Sequence, residues 1–310
     1  MFHINKPISI MIMKTKHFII CFLMAIVGIM ACDEVNEADR FVPGPPIGGI
    51  DSTEVDTSDV DSTEIDTFKI NTKQVVLVEE FTAQKCTNCP NAQRLLKSIM
   101  EQEDYQNRVV VVGIHAGSFG IAEGASGTSA KVPGLMQPEG NEYANHWKVD
   151  AYPSALFNRR GGAVSTIDTW QSRINNELQR KAQVNIEVKA QLNAHNEIVI
   201  TTKTASAENI QAKLQLWITE SRIISRQTDN GKLILDYEHN HVYRACVNGT
   251  WGEDVTIAAK EWKTMTHQMA VKEQWKAENL AVVAFVYDDQ NGVYQVAECE
   301  VETPEAEKKD

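Results

Sequence analysis

Two cysteines separated by two residues, at the junction of a strand and a helix, constrain the fold of this 310-residue chain most. The stretch "QVVLVEEF" (residues 74–81) is apolar and β-branched, which predicts a buried strand. "CTNCP" (residues 86–90) follows, and Pro90 suits the first turn of a helix, where no backbone donor is needed. A helical pattern and a second apolar strand, "RVVVVGI" (residues 108–114), complete the prediction of a βαβ unit with parallel strands.

The predicted helix N-terminus determines the chemistry expected of Cys86 and Cys89. Free N–H groups and a partial positive charge at that end stabilise a thiolate and lower the pKa of the first cysteine. The short gap lets the second sulfur reach back and close a small ring, so the spacing predicts a reversible disulfide. Two alternatives stay open: a purely structural disulfide, and a zinc site with His115 and His146 as the nearest further ligands.

The order of strand, CxxC, helix and strand resembles the thioredoxin-like superfamily over about residues 74–182. The resemblance implies that Cys86 is the attacking thiolate and Cys89 the resolving thiol. It also implies that Glu80, at the end of the first strand, accepts the proton of the second cysteine. Pro153, in "AYPSALF", matches the family's cis-proline, which faces the disulfide and shapes the groove for a partner chain.

The residues around the motif depart from the reducing and oxidising members of that superfamily. Thr87 and Asn88 stand where reducing members have Gly-Pro and strong oxidants have Pro-His, and Lys85 replaces the usual tryptophan. Together with Tyr152, Thr87 and Asn88 are expected to line the substrate groove. A long Gly/Ser/Ala stretch, residues 117–140, predicts an irregular insertion. No cofactor is expected.

After about residue 183 the pattern changes to short β runs such as "VNIEVKAQL", "EIVITTKTA" and "LAVVAFVYD". These runs predict an all-β domain, an immunoglobulin-like sandwich, behind the α/β thioredoxin-like domain. A structural disulfide between Cys246 and Cys299 is one alternative in this half. Alternation argues against it, because Cys299 falls on an apolar face and Cys246 on a more polar one. His239 and His241 are expected at the surface rather than as metal ligands.

The N-terminus predicts secretion followed by a lipid anchor. "MKTKHFIICFLMAIVGIMA" has a basic flank, an apolar core too short to span a bilayer comfortably, and a small residue at the cleavage point. Its end, Ile29 to Cys32, resembles a bacterial lipobox, which implies that Cys32 carries acyl chains. Such chains tether a protein to a membrane without spanning it. The compartment outside the cytoplasm is one in which disulfides persist.

An acidic segment lies between the predicted anchor and the first domain. "DSTEVDTSDV" and "DSTEIDTFKI" form a near-repeat of low hydrophobicity, which predicts an extended, unfolded linker. A calcium loop is a weaker alternative, because no glycine stands at the sharp-turn position. O-glycosylation of the two Asp-Ser-Thr triplets is another. The net charge of −12 argues against nucleic acid as a partner.

The whole layout resembles Gram-negative outer-membrane lipoproteins named after a twenty-eight-kilodalton outer-membrane protein, and "HNHVYRACVNGTWGE" (residues 239–253) is most similar to them. The resemblance implies an outer-membrane location, on the periplasmic or the cell-surface face. Two functions stay open: thiol–disulfide exchange on protein partners outside the cytoplasm, or binding and adhesion with the thioredoxin-like fold as scaffold. The predicted segments are the signal peptide (1–31), the lipidated N-terminus and linker (32–71), the thioredoxin-like domain (72–182), the β-sandwich (183–303) and a polar tail (304–310).

Overall fold

The computed structural model describes residue 70 and residues 72–125, 128–129 and 131–303, all within one unit of the chain, Glu64–Asp310. The predicted signal peptide, the lipidation site Cys32, the linker and the polar tail lie outside the described residues. Among the residues that are described, no helix is long and apolar enough to cross a membrane.

The predicted βαβ unit is confirmed. β1 (Val76–Thr82) leads into α1 (Cys89–Met100), and β2 (Val109–His115) pairs with β1 in parallel. Both strands are buried along their whole length, which is why apolar residues dominate both of their faces instead of alternating with exposed polar ones. Pro90 lies in the first turn of α1, where its missing N–H leaves no hydrogen bond unmade.

Helices cover both faces of this strand pair. α1 and α3 (Trp170–Leu178) pack on one face, and α2 (Pro138–His146) packs on the other. The cluster on the first face includes Val76, Val78, Ala92, Leu96, Ile99, Trp170 and Ile174. The cluster on the second face includes Leu77, Phe81, Val112, Ile114, Tyr143, Trp217 and Phe285. Because α2 begins at Pro138, the predicted irregular insertion ends at residue 137 instead of 140.

Two short strands extend the sheet beyond β1. β3 (Ser154–Phe157) pairs with β1 in the antiparallel direction, and β4 (Arg160–Val164) pairs with β3. A single 3₁₀ turn, Ile167–Thr169, then leads into α3. Since β3 lies against the last residues of β1, the turn before β3 lies beside the loop that carries the cysteines.

The remaining described chain is built mainly from strands. They are β5 (Val184–Leu192), β6 (Glu197–Ser206), β7 (Ile210–Glu220), β8 (Ile223–Asp229), β9 (Lys232–His239), β10 (Val242–Cys246), β11 (Glu253–Ile257), β12 (Lys263–Ala270), β13 (Leu280–Asp288) and β14 (Gly292–Glu300). β5 and β13 match their predicted ranges to the residue. The sequence analysis did not predict β8, β9, β11 or β12.

The main sheet contains strands from both of the domains that the sequence analysis delimited, so the two halves of the described chain share one sheet. Within the described residues its order is β14-β13-β7-β10-β2-β1-β3-β4, with β11 also paired to β7. The link is β10, which pairs with β2 through Val242 opposite Gly113. β1 pairs with only one edge of β2, so the backbone N–H and C=O groups on the other edge need partners. β10 provides partners for some of these groups.

A three-stranded antiparallel sheet, β12-β6-β5, packs over the β7–β13 end of the main sheet. The side chains between these two layers include Val184, Ile186, Ile198, Ile200, Leu214, Leu216, Ile218, Val282, Ala284 and Val286. β8 and β9 form a separate two-stranded hairpin. The described chain is therefore rich in β-structure and combines mixed and antiparallel sheets.

Candidate functional site

Cys86 and Cys89 are joined by a disulfide at the N-terminus of α1, with their Cα atoms 5.5 Å apart. Cys86 lies in the loop after β1, and Cys89 is the first residue of the helix. The Cys89 backbone N–H donates to Cys86 Sγ over 3.1 Å, so the helix terminus directs a hydrogen-bond donor at this sulfur. Such a donor stabilises negative charge on Cys86 when the bond is reduced.

The disulfide itself is almost fully enclosed, whereas the two residues between the cysteines are exposed. Cys86 is 5% exposed and Cys89 is 0% exposed. Thr87 and Asn88 face solvent. The surface at the motif is therefore formed by Thr87 and Asn88, and the sulfur atoms lie beneath it.

Glu80 lies on β1 and points to the face that α1 covers, as the alternation with Val76 and Val78 requires. Its side chain is 2% exposed. Burial raises its pKa to about 8, although a hydrogen bond with the side chain of Thr82 lowers it slightly. Its Oε1 has no hydrogen-bond partner among the described residues. At neutral pH this carboxyl is mainly protonated.

A short chain of contacts links Glu80 to the helix of the cysteines. The Thr82 side chain, which bonds Glu80, accepts a hydrogen bond from Gln93 Nε2 over 3.2 Å. Gln93 lies four residues after Cys89, so the two side chains share one face of α1. Glu80 and Cys89 therefore lie on facing sides of the same strand–helix interface.

A cavity of about 560 Å³ lies beside Glu80. Its wall includes Gln93, Leu96 and the exposed Lys97 from α1, together with Tyr237 and His241 from the second half of the chain. The cavity is therefore lined both by the buried Glu80 and by residues at the protein surface.

The neighbouring Glu79 points to the opposite face of β1 and forms a buried ion pair that the sequence analysis missed. Arg159 donates to Glu79 Oε1 from Nη2 over 3.0 Å, and both side chains are almost completely buried. The guanidinium also lies over the rings of Tyr287 and Phe285. Glu79 is thus neutralised by a cation, whereas Glu80 forms no ion pair with any residue that the structure describes.

Tyr152 and Pro153 lie at the turn before β3. Tyr152 packs against the cluster of Ala83, Cys86 and Cys89, and burial raises the pKa of its phenol. The Tyr152–Pro153 peptide bond is cis. The chain therefore brings Cys86, Cys89 and Tyr152 into one cluster after the end of β1, with Pro153 next to Tyr152 in the chain. Glu80 lies on the face of β1 that α1 covers.

The β8–β9 hairpin also reaches this site, and the sequence analysis missed it. Gln227 Nε2 donates to the carbonyl of Cys86 over 3.0 Å, and the Gly231 N–H donates to Thr87 Oγ1 over 2.6 Å. The signal that could have found it is the dipeptide Asn230-Gly231, a strong hairpin-turn pair in which both residues have positive φ.

The histidines weighed as metal ligands do not form a metal site. Among the described residues, no group of three or more His, Cys, Asp or Glu side chains is arranged to hold an ion. His115 ends β2 and is buried, and His146 is exposed on α2. His239 was expected at the surface, but it is buried, because the end of β9 packs its ring 5.5 Å from that of His115. Burial lowers the pKa of both, that of His239 to about 4.

The alternative disulfide between Cys246 and Cys299 does not form. Both thiols are free of disulfides in the part of the chain that the structure describes. Cys246 packs against the cluster on the α2 face of the main sheet, and Cys299 packs against the cluster beneath the three-stranded sheet. Burial raises the pKa of Cys246, and it raises that of Cys299 to about 11.

Comparison with known proteins gives a family match over the second half of the chain. Residues 140–305, more than half of the sequence, match the family described as outer membrane protein Omp28. No curated protein matches the chain.

Solved structures similar to the chain include two from Porphyromonas gingivalis. HBP35 of Porphyromonas gingivalis shares its fold with a TM-score of 0.60 and 17% identity, over 77% of this chain and 79% of that one. A domain of the outer membrane lipoprotein Omp28 from Porphyromonas gingivalis is 28% identical over 39% of this chain and 90% of that one, with a TM-score of 0.30.

Proposed function

Since the chain belongs to the Omp28 family of outer membrane proteins, we propose that it performs thiol–disulfide exchange on protein partners outside the cytoplasm. Family membership confirms the resemblance and the outer-membrane location that the sequence predicted. The observation that carries the proposal is the Cys86–Cys89 disulfide at the start of α1, the helix that covers the face of β1 on which Glu80 is buried. In this proposal Cys32 holds the lipid anchor and the acidic linker separates the anchor from the folded part.

In this proposal residues 72–182 form a thioredoxin-like unit, and residues 183–303 form an immunoglobulin-like sandwich that docks against it. Three features support the first part: the parallel β1–β2 pair, the antiparallel β3, and helices on both faces. The two packed layers of the second half support the other part. The pairing of β10 with β2 joins the two parts into one sheet.

The exchange follows two balanced steps. A partner thiolate attacks Cys86 Sγ, a bond forms between these sulfurs, the Cys86–Cys89 bond breaks, and Cys89 leaves as a thiolate. A second partner thiolate then displaces Cys86, so the partner gains a disulfide and loses two electrons to the cysteine pair. In reverse, the Cys86 thiolate attacks a partner disulfide, and Cys89 resolves the mixed disulfide.

Glu80 serves the resolving step, because Cys89 must lose its proton before it attacks. A thiol has an ordinary pKa of about 8.5. The pKa of Glu80 is raised to about 8, close to that of the thiol, so the minority of Glu80 that is ionised at neutral pH takes the proton from Cys89 at little cost in free energy. The cavity beside Glu80 then returns the proton to solvent.

The partner chain is expected to lie against the exposed Thr87 and Asn88 and against Tyr152 and Pro153 on the facing turn. These residues surround Cys86, which is the sulfur that exchanges. A partner must displace part of this cover, because Cys86 is only 5% exposed. Substrates with flexible, unfolded segments fit this requirement best.

The test is trapping of a mixed disulfide on the full chain. Replacement of Cys89 by serine removes the resolving thiol, so Cys86 should accumulate in a covalent complex with a model dithiol peptide or an envelope protein. Cys86→Ser is the matched control, because it leaves the 0%-exposed Cys89 and should trap nothing. Failure of C89S to trap any partner, together with no reduction or oxidation of a model disulfide by the unmodified chain, would falsify the proposal.

The second candidate function is binding or adhesion with this fold as a scaffold. The enclosure of both sulfur atoms favours it, because a buried disulfide is a poor target for exchange. Binding at the cell surface predicts that C86S/C89S keeps the full partner affinity of the unmodified chain. Exchange predicts that this double variant loses the covalent complex.

A further inference from the structure

The β8–β9 hairpin is held to the disulfide loop along most of its length. The Thr228 N–H donates to the carbonyl of Gln84 over 2.8 Å, and the Asn230 N–H donates to the carbonyl of Thr87 over 3.0 Å. At the tip, Gly231 N–H bonds Thr87 Oγ1. The hairpin therefore packs along the loop that carries Cys86, although the two segments are more than 130 residues apart in the sequence.

An ion pair extends this contact to α1. Arg94 Nη1 lies 2.9 Å from Asp229 Oδ2, and Arg94 Nη2 lies 3.1 Å from Asp229 Oδ1, in a two-point contact. On the other strand, Tyr237 donates from its hydroxyl to Gln93 Oε1 over 2.7 Å. The hairpin thus holds the loop and the first turns of the helix together, on both sides of Cys89.

Gln227 is the most deeply placed of these residues, at 0% exposure. Its Nε2 donates to the carbonyls of Ala83 and Cys86 over 3.2 and 3.0 Å. Its Oε1 has no donor among the described residues. A buried amide with an unpaired oxygen is unfavourable, so packing alone does not account for a glutamine here.

We propose that Gln227 is a positioning residue of the cysteine pair, and that the hairpin acts as a clamp which holds the loop in the geometry of the closed disulfide. Two thiols that are held close together form a disulfide with each other as if each were present at a high effective concentration. A loosened loop lowers that effective concentration. The clamp therefore favours the disulfide over the dithiol. The biological use of the clamp rests on the proposed function, since the clamp would set the reduction potential of the Cys86–Cys89 pair.

Thermodynamic linkage makes the coupling reciprocal. If opening the clamp lowers the equilibrium constant for disulfide formation, then reduction of the disulfide must open the clamp by the same factor. A net difference of one hydrogen bond between the oxidised and the reduced state corresponds to a factor of about 3–10. The coupling is therefore measurable from either side.

The first experiment measures the equilibrium of the full chain with reduced and oxidised glutathione. We expect Gln227→Met to lower the equilibrium constant for the Cys86–Cys89 disulfide by about 3–10-fold, or about 15–30 mV for a two-electron couple. The matched control is Gln215→Met, since Gln215 is also 0% exposed, also has an unpaired Oε1, and donates to the carbonyl of Gly249 on another part of the sheet. The control should leave the constant within twofold of the unmodified chain.

The second experiment needs no substitution and covers the case in which Gln227→Met does not fold. Hydrogen exchange of the Thr228, Asn230 and Gly231 amides is compared between the oxidised and the reduced full chain, with the amides of β5 and β6 as internal controls. We expect exchange about 3–10-fold faster at the hairpin on reduction, and no change in β5 and β6. Equal hairpin exchange in both redox states overturns the inference, as does an unchanged glutathione equilibrium in a folded Gln227→Met variant.

These readouts separate the clamp from the proposed function. Both measure the chain's own cysteines and hairpin, without any protein partner. A chain that shows the coupling but exchanges with no model disulfide keeps the clamp and loses the proposed function. A chain that exchanges with partners but shows no coupling keeps the function and loses the clamp.

Discussion

The side chains of Glu79 and Glu80 are adjacent in sequence but lie on opposite faces of β1, in opposite electrostatic environments. Glu79 is neutralised by Arg159 Nη2 at 3.0 Å within an aromatic cluster. Glu80 faces α1 and has no ion-pair partner within the described part of the chain, and burial raises its pKa to about 8. Glu79 is thus held as the anion of a buried ion pair, whereas the pKa of Glu80 lies close to neutral pH.

Removal of the Glu80 carboxyl should slow the resolving step. In Glu80→Gln, reduction of a model disulfide at pH 7 should fall on the order of 100-fold, the usual contribution of a general base. The difference should shrink above about pH 9, where Cys89 ionises without help. Single-turnover rates measured between about pH 5 and 10 check this, and a constant ratio of the two rates across the range would contradict it.

Glu80 should also make stability depend on pH. Its folded-state pKa of about 8 lies above the ordinary carboxyl value of 4.5, so the folded state retains a proton that the unfolded state has lost. The contribution is complete below about pH 4.5 and is lost as pH rises through about 8, by up to about 1.4 kcal/mol per pH unit. Denaturant unfolding should show the unmodified chain losing stability relative to Glu80→Gln over this window. Parallel curves would show that Glu80 is not buried in this way.

The Glu79–Arg159 pair should be strongly coupled. Arg159→Met leaves a buried carboxylate without its cation, and Glu79→Gln leaves a buried guanidinium without its anion, so each should destabilise by about 3–5 kcal/mol. The double variant should lose less than the sum of the two. A double-mutant cycle from urea unfolding checks this, and additive losses would mean that the two side chains do not interact.

His239 should limit stability in acid. Burial lowers its pKa to about 4, against an ordinary value of 6.5, so the unfolded chain binds a proton that the folded chain does not. Its contribution is present above about pH 6.5 and is lost as pH falls towards 4. His239→Gln should therefore lose less stability between pH 6.5 and 4 than the unmodified chain does. Burial also lowers the pKa of His115, whose ring lies 5.5 Å from that of His239. The His239→Gln variant should therefore still lose some stability in acid.

Thiol mapping should find one disulfide within residues 72–303. Alkylation of the unfolded, unreduced chain should label the peptides that contain Cys246 and Cys299, and it should label Cys86 and Cys89 only after reduction. In the folded chain, Cys299 should react slowly, because burial raises its pKa to about 11. A peptide that joins Cys246 to Cys299 would contradict this arrangement.

The sequence predicted the core of the first unit because its signals are local. Runs rich in valine and other apolar residues define β1 and β2, and Pro90 marks the first turn of α1. Regular β runs with clear turns gave β5 and β13 their bounds. The pairing of β10 with β2 depends instead on how two distant strands meet, which no local pattern specifies.

The same limit applies to the site. Cys86, Cys89 and Glu80 were found because a motif and its spacing mark them, whereas nothing in the sequence near Arg159 indicates that its charge is buried against Glu79. The β8–β9 hairpin was missed for another reason. Its Asn230-Gly231 turn is a clear local signal, but its strands expose several apolar residues, among them Leu233 and Leu235, and do not alternate cleanly.

The pKa of Cys86 in the reduced full chain tests the central claim most directly. Its alkylation rate with iodoacetamide is measured against pH. The C86S variant gives the background from the remaining thiols, including Cys89, and this background is subtracted. The Cys89 N–H aimed at Cys86 Sγ and the α1 N-terminus predict a pKa below about 7.5, and a model disulfide should be exchanged at a matching rate. An ordinary thiol pKa of about 8.5, with no exchange of the model disulfide, would contradict a role in thiol–disulfide chemistry.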